Sequence, residues 1–127
     1  MGFVYYGNYA SYYEVGRTEM MRTLGITYKD MEQRGCMMPS VTMSVRYLRP
    51  ARYDDELLIV TSVKIMPSTR MTFFYEVFNA DTGQLLNTGE TTLAFINSTT
   101  LRPMRAPDWF LQLITNKLNE LNITLNT

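Results

Sequence analysis

"GFVYYGNYASYYEVGRTEMMRTLG", residues 2–25, decides the first element of the fold. Tyr9, Tyr13, Gly16, Met20 and Leu24 recur at spacings of three and four, which places them on one face of a helix predicted over residues 8–24. Asn8 reads as its N-cap and Gly25 as the residue just past its end. Glu14 with Arg17, and Glu19 with Arg22, stand three apart on the flanks, where such pairs add a few tenths of a kcal/mol. Gly16 on the apolar face costs about 1 kcal/mol of helix propensity relative to Ala, which close packing against another backbone would offset. Ahead of the first charge stand several tyrosines and Gly2 and Gly7, where a polar, fraying terminus is usual.

Outward from this helix, Thr27 followed by Asp30 predicts the capping box of a short second helix that Gly35 stops. From Ser40 the period becomes two: Val41, Met43, Val45 and Tyr47 alternate with Thr42, Ser44, Arg46 and Leu48. "RPARYDDE" (49–56) is a connection with turn chemistry from Pro50 and the Asp54–Asp55 pair. "LLIVTSVKIM" (57–66), "RMTFFYEVFN" (70–79) and "LLNTGETTLAFI" (85–96) read as three further strands. "ADTG" between the last two suits a type I turn with a glycine bulge. The short links predict a four-stranded antiparallel meander. Pro103 and Pro107 end it, and Asp108 is expected to cap a C-terminal helix, "WFLQLITNKLNEL". One α+β domain over residues 1–127 follows, its sheet covered by the long helix. The strand at 70–79 is apolar on both faces: Met71, Phe73, Tyr75 and Val77 on one, Phe74 and Phe78 on the other. Its second face calls for another subunit.

Composition narrows the chemistry. Lys plus Arg and Asp plus Glu number 12 each in 127 residues, so no global field draws the chain to nucleic acid or an anionic membrane. No apolar run is long enough to span a bilayer. The single Cys36 cannot form an internal disulfide, which fits the cytoplasm. There is no histidine at all. That removes the usual Ser-His-Asp and Cys-His systems and, with one cysteine, any His- or thiolate-bound metal site, so no metal is expected. Carboxylates, backbone N–H groups, hydroxyls, Arg and Lys remain.

Residues 2–25, with "YLRPARYDDEL" (47–57), resemble the hotdog-fold acyl-CoA thioesterases of the 4-hydroxybenzoyl-CoA thioesterase family, from Gly2 to about Pro107. The signature is a glycine, a short hydrophobic-aromatic run, Asn-Tyr, then a helix carrying Glu-x-x-Arg. The resemblance implies an antiparallel sheet wrapped around the long helix and hydrolysis of an acyl- or aroyl-CoA thioester to acid and CoA. It implies no cofactor, CoA being part of the substrate. In the family, a strand ending in Asp-x-x-Gly precedes the aromatic run and supplies the catalytic carboxylate. With Gly2 as that glycine, the first strand and its Asp fall upstream of Met1, so the chain as it stands is expected to hydrolyse acyl-CoA poorly or not at all.

The resemblance further makes the Tyr6 backbone N–H the leading oxyanion donor, with Gly2 allowing close approach and Gly7 and Asn8 shaping the entry to the helix. A helix N-terminus can polarise a carbonyl without histidine, since its free N–H groups and positive dipole end face developing negative charge. Tyr5 is expected in the pocket wall. Glu14 is the nearest remaining carboxylate: a surface partner of Arg17 or Thr18, or a substitute base. For the nucleotide the resemblance points to Ser68, Thr69, Arg70 and Arg102, with Lys64 nearby, and for the acyl group to Met38, Pro39 and Val41 between subunits of a dimer or tetramer. A non-catalytic module binding acyl thioesters or an acyl-carrier protein is the alternative, with Arg46, Arg49 and Arg52 as a docking strip for an acidic partner.

Overall fold

The computed structural model describes the backbone of residues 6–52 and 54–125, with side chains from Tyr9 onward. Chain order is α1 (Tyr6–Thr23), α2 (Tyr28–Gln33), β1 (Cys36–Met37), β2 (Ser40–Tyr47), β3 (Leu57–Ser62), β4 (Arg70–Asn79), β5 (Leu85–Ala94), β6 (Ile96–Asn97) and α3 (Asp108–Leu121). Local sequence chemistry sets most boundaries. Gly25, at φ +89°, ends α1: its N–H donates to the Arg22 carbonyl and that of Ile26 to Met21, the double bond of a left-handed cap. Thr27 and Asp30 form both halves of the predicted capping box. Gly83, at φ +72°, closes the β4–β5 hairpin, while the Asn79 side chain accepts from the Asp81 and Thr82 N–H groups.

Three expectations about boundaries need correction. α1 begins at Tyr6, so Asn8 lies within its first turn and is not the N-cap. Asp108 is the first residue of α3; Pro107 holds the cap position without a side-chain bond, and the Asp108 charge serves the helix dipole instead. The second long strand stops at Ser62, and Val63–Met66 leave the ladder before the turn at residues 66–69.

The four longer strands form one antiparallel sheet in the order β2-β5-β4-β3. The meander is therefore three strands, β3-β4-β5, and β2 joins on the far side of β5 rather than beside β3. Residues 48–56 carry the chain from one edge of the sheet to the other. Pro50, which lacks an N–H, and the Asp55 carboxylate, accepting from the Arg52 N–H at 2.8 Å, keep that stretch out of the ladder. A separate two-stranded ladder, β1 with β6, was not visible in the alternation because each strand has only two residues.

α1 crosses the sheet obliquely. Its Gly16 faces Thr61 and Ile59 of β3, where an added Cβ would lie 2.4 Å from Thr61 Oγ1. Tyr13 lies over Gly89 of β5 and stacks on Tyr75 of β4, with ring centroids 4.2 Å apart and planes within 4°. Tyr9 meets Tyr47 of β2 at 5.6 Å. Met21, absent from the predicted stripe, is fully buried, because the buried arc spans both the 20 and 21 positions. Met71, Phe73, Tyr75 and Val77 of β4 are buried beneath the helix, as expected. On the opposite face Phe74 and Phe78 are only half-buried, beside Leu58 and Val60 of β3, which are 55% and 41% exposed.

Candidate active site at the start of helix α1

Because α1 starts at Tyr6, the N–H groups of its first turn have no partner within the helix. No acidic side chain lies in that turn, so its positive end is not neutralised from within. Gly2 and Tyr5 lie outside the described residues, and of Tyr6, Gly7 and Asn8 only the helical backbone is described. The next turns anchor the helix start through a buried polar cluster. The Tyr13 hydroxyl donates to Asn87 Oδ1 at 2.5 Å, and Tyr75 Oη and Thr91 Oγ1 share a hydrogen bond at 2.6 Å. Asn87 and Thr91 both project from β5 toward the helix and are buried. Sequence reasoning passed over them as ordinary polar strand residues. The available signal was Gly89 between them, which leaves room for a large side chain from the helix.

Burial pushes the hydroxyls of Tyr9, Tyr13, Tyr28 and Tyr75 above the usual tyrosine range. At neutral pH they stay protonated, Tyr13 as a donor and Tyr28 as a wall, and do not act as bases. Arg17 does not join Glu14 in an ion pair; its guanidinium acts on the Tyr28 and Tyr75 hydroxyls, without closing a well-formed hydrogen bond on Tyr28 Oη. Glu19 and Arg22 do pair, at 3.1 Å on the surface. Glu14 is exposed on the flank of α1, eight residues past Tyr6 and so about 12 Å along the axis at 1.5 Å per residue. The Cys36 thiol is buried and its pKa raised by that burial, which leaves it a poor nucleophile. Among the described residues, no group of three or more His, Cys, Asp and Glu could hold a metal ion, and no helix is long and apolar enough to cross a membrane.

The other expected site residues fall into two places. Met38 packs against the core, Pro39 is exposed with its carbonyl accepting from the Ala94 N–H, and Val41 sits exposed in a bulge between Ser40 and Thr42. Within one chain this edge of β2 is far from the helix start. Tyr9 touches Tyr47, and six residues of strand at about 3.3 Å each separate Tyr47 from Val41.

The proposed nucleotide residues do come together. The Ser68 carbonyl accepts from the Ala106 N–H and the Thr69 carbonyl from Phe95, so the turn before β4 lies along the segment after β5. Arg70 and Arg102 are exposed at this end of the sheet, joined by Arg105, which the sequence reading did not single out. None of the three takes part in an ion pair found among the described residues. Lys64 instead sits over the Phe74 ring at 4.3 Å.

Comparison with known proteins bears on the family and the fold. The family model described as the thioesterase-like superfamily matches residues 1–114. The acyl-CoA thioester hydrolase YbgC of Escherichia coli is 32% identical over 111 residues, covering 84% of this chain and 78% of that protein. The putative acyl-CoA thioesterase YneP of Bacillus subtilis is 28% identical over 113 residues, covering 86% and 81%. Among solved structures, a DHNA-CoA thioesterase from Staphylococcus aureus superposes with a TM-score of 0.81 at 33% identity, covering 99% of this chain and 87% of that one.

Proposed function

Since the chain belongs to the thioesterase-like superfamily, with its hotdog fold, we propose that it hydrolyses an acyl- or aroyl-CoA thioester to the free acid and CoA. The observation that carries this reading is the helix that opens at Tyr6, whose first-turn N–H groups have no partner within the helix and no acid beside them in that turn. A thioester oxygen placed there would receive hydrogen bonds from the Tyr6 and Gly7 N–H groups. As water attacks, the carbonyl oxygen becomes an oxyanion and those bonds strengthen, which lowers the barrier. The tetrahedral intermediate then collapses, expelling the CoA thiolate. Gly2 and Tyr5 would border the thioester. The carboxylate that takes the proton from water is either the aspartate that the family carries ahead of the motif glycine, or Glu14. Glu14, about a turn and a half beyond the first and facing solvent, is the weaker candidate of the two.

The CoA phosphates are assigned to the basic end of the sheet: Arg70 and Arg102, with Ser68 and Thr69 beside them; Lys64, held over the Phe74 ring, would have to leave it to take part. Met38 and Pro39, just before the edge strand, and Val41 on it, exposed or half-buried and distant from the helix start of their own chain, suit the acyl pocket of a neighbouring subunit. The half-buried Phe74 and Phe78 with exposed Leu58 and Val60 suit burial in a homodimer or homotetramer. The buried free Cys36 is compatible with the cytoplasm.

Thiol release from acyl-CoA and from a short N-acyl-cysteamine thioester, which lacks the nucleotide, tests the assignment. Arg70→Ala or Arg102→Ala should raise KM for acyl-CoA at least tenfold, in line with about 1.5–3 kcal/mol for hydrogen bonds to charged groups, and leave the short thioester unchanged. Equal losses on both substrates would mean that these residues hold the fold. Tight binding of acyl-CoA or of an acyl-carrier protein without any release would favour the binding-module reading.

A further inference from the structure

A second concavity lies at the other end of α1. Met20 and Leu24 in its last turns, Val63 after β3, Met71 of β4, and Ile114 and Leu118 of α3 line a cleft of about 360 Å³. It exists because the packing of α3 loosens along its length: Phe110 and Ile114 are buried, Leu118 is partly buried against the core, and Leu121 is 55% exposed. The chain turns back after α3 at Asn122, in the left-handed conformation, and brings Leu125 to the rim. Fourteen residues separate Tyr6 from Met20, so the cleft is about 21 Å along the helix from the proposed oxyanion site.

Its size selects among occupants. Two turns of a partner helix about 10 Å wide fill roughly 850 Å³, more than twice the space available. An extended alkyl chain fits: at roughly 30 Å³ per methylene-sized group, the share of one water, the cleft holds about ten to twelve groups. The walls are Met and Leu side chains that adapt to a flexible guest. Among the described residues, two polar side chains reach the lining. Thr23 is already satisfied, its hydroxyl donating to the Met20 carbonyl at 2.7 Å. Lys117 is the one charged residue of the lining, and its partner Glu120, 3.3 Å away, is 66% exposed, a loose surface pair that a competing anion can displace.

We propose that this cleft binds a medium-chain fatty carboxylate, with the alkyl chain between α1 and α3 and the head group on Lys117. The inference stands on the cleft alone and does not depend on the thioesterase reading. Calorimetric titration of the full chain with decanoate, below its micellar concentration, and with decanol tests it. One saturable site per chain is expected for decanoate, undisturbed by CoA. Lys117→Ala should weaken decanoate at least fivefold and leave decanol unchanged. Leu118→Trp, with folding checked by circular dichroism, should weaken both tenfold or more. Absence of saturable binding, displacement of decanoate by CoA, or unaltered binding in both variants overturns the proposal. So does a change of mass by light scattering in Leu118→Trp, which would assign the cleft to a second copy of the chain.

Discussion

At Gly89 a methyl group has nowhere to go: an added Cβ would lie 2.5 Å from the Tyr13 hydroxyl oxygen and 2.6 Å from its ring. That ring is fully buried and stacked on Tyr75, so it cannot yield without breaking the Asn87 hydrogen bond. Gly89→Ala should cost about 1–3 kcal/mol by denaturant unfolding. Gly16→Ala should also destabilise, because the added Cβ would meet Thr61 Oγ1 at 2.4 Å on a β-branched side chain that is stiff at χ1, and the helix gains only about 1 kcal/mol of propensity in return. Tyr13→Phe leaves Asn87 Oδ1 without its donor beside an already unpartnered Nδ2, and should cost about 1–3 kcal/mol. The raised tyrosine pKa values fix a sign. A phenol whose folded pKa lies above its unfolded value of 10.0 contributes stability that is fully present below pH 10 and lost as pH rises through the folded pKa. The unfolding midpoint should therefore be flat with respect to these groups up to about pH 9.5 and fall beyond it. The fall should be shallower in Tyr28→Phe, which removes a buried hydroxyl that has no hydrogen bond.

The short elements follow rules that act within a few residues, and those were legible. Gly25, the Thr27–Asp30 box, Gly35 and Gly83 each do what their neighbours in sequence require. Thr27→Ala should cost about 1 kcal/mol, read as a lower unfolding midpoint, because the Asp30 N–H loses its Thr27 Oγ1 acceptor at 3.1 Å, while the reciprocal bond from the Thr27 N–H to the Asp30 carboxylate is kept. The α1 stripe was legible except for Met21, since the buried arc is wider than a single line of residues. The inward face of β4 was legible from its alternation. Asn87 and Thr91 were not: they are polar where the pattern expects apolar residues, and only their partners on α1 and β4 explain them. The edge place of β2 was hidden for a related reason, since its pairing with β5 joins residues far apart in the chain and leaves no local mark.

For the molecule as a whole, the proposed nucleotide and acyl residues are assigned to sites that subunits would share. The outward row of Leu58, Val60, Phe74 and Phe78 predicts association. Light scattering at micromolar concentration should give a dimer or tetramer, and Val60→Lys should lower that mass while circular dichroism is retained; a stable wild-type monomer would count against shared sites. The central claim is that a backbone N–H at the start of α1 stabilises the oxyanion. Proline at the first helical position keeps the helix but deletes that donor, whereas alanine removes the same side chain and keeps it. The decisive measurement is kcat for thiol release from acyl-CoA in Tyr6→Pro against Tyr6→Ala. A 10²–10³-fold loss confined to the proline variant, with both variants folded, is the predicted result. Equal kcat in the two would contradict the account.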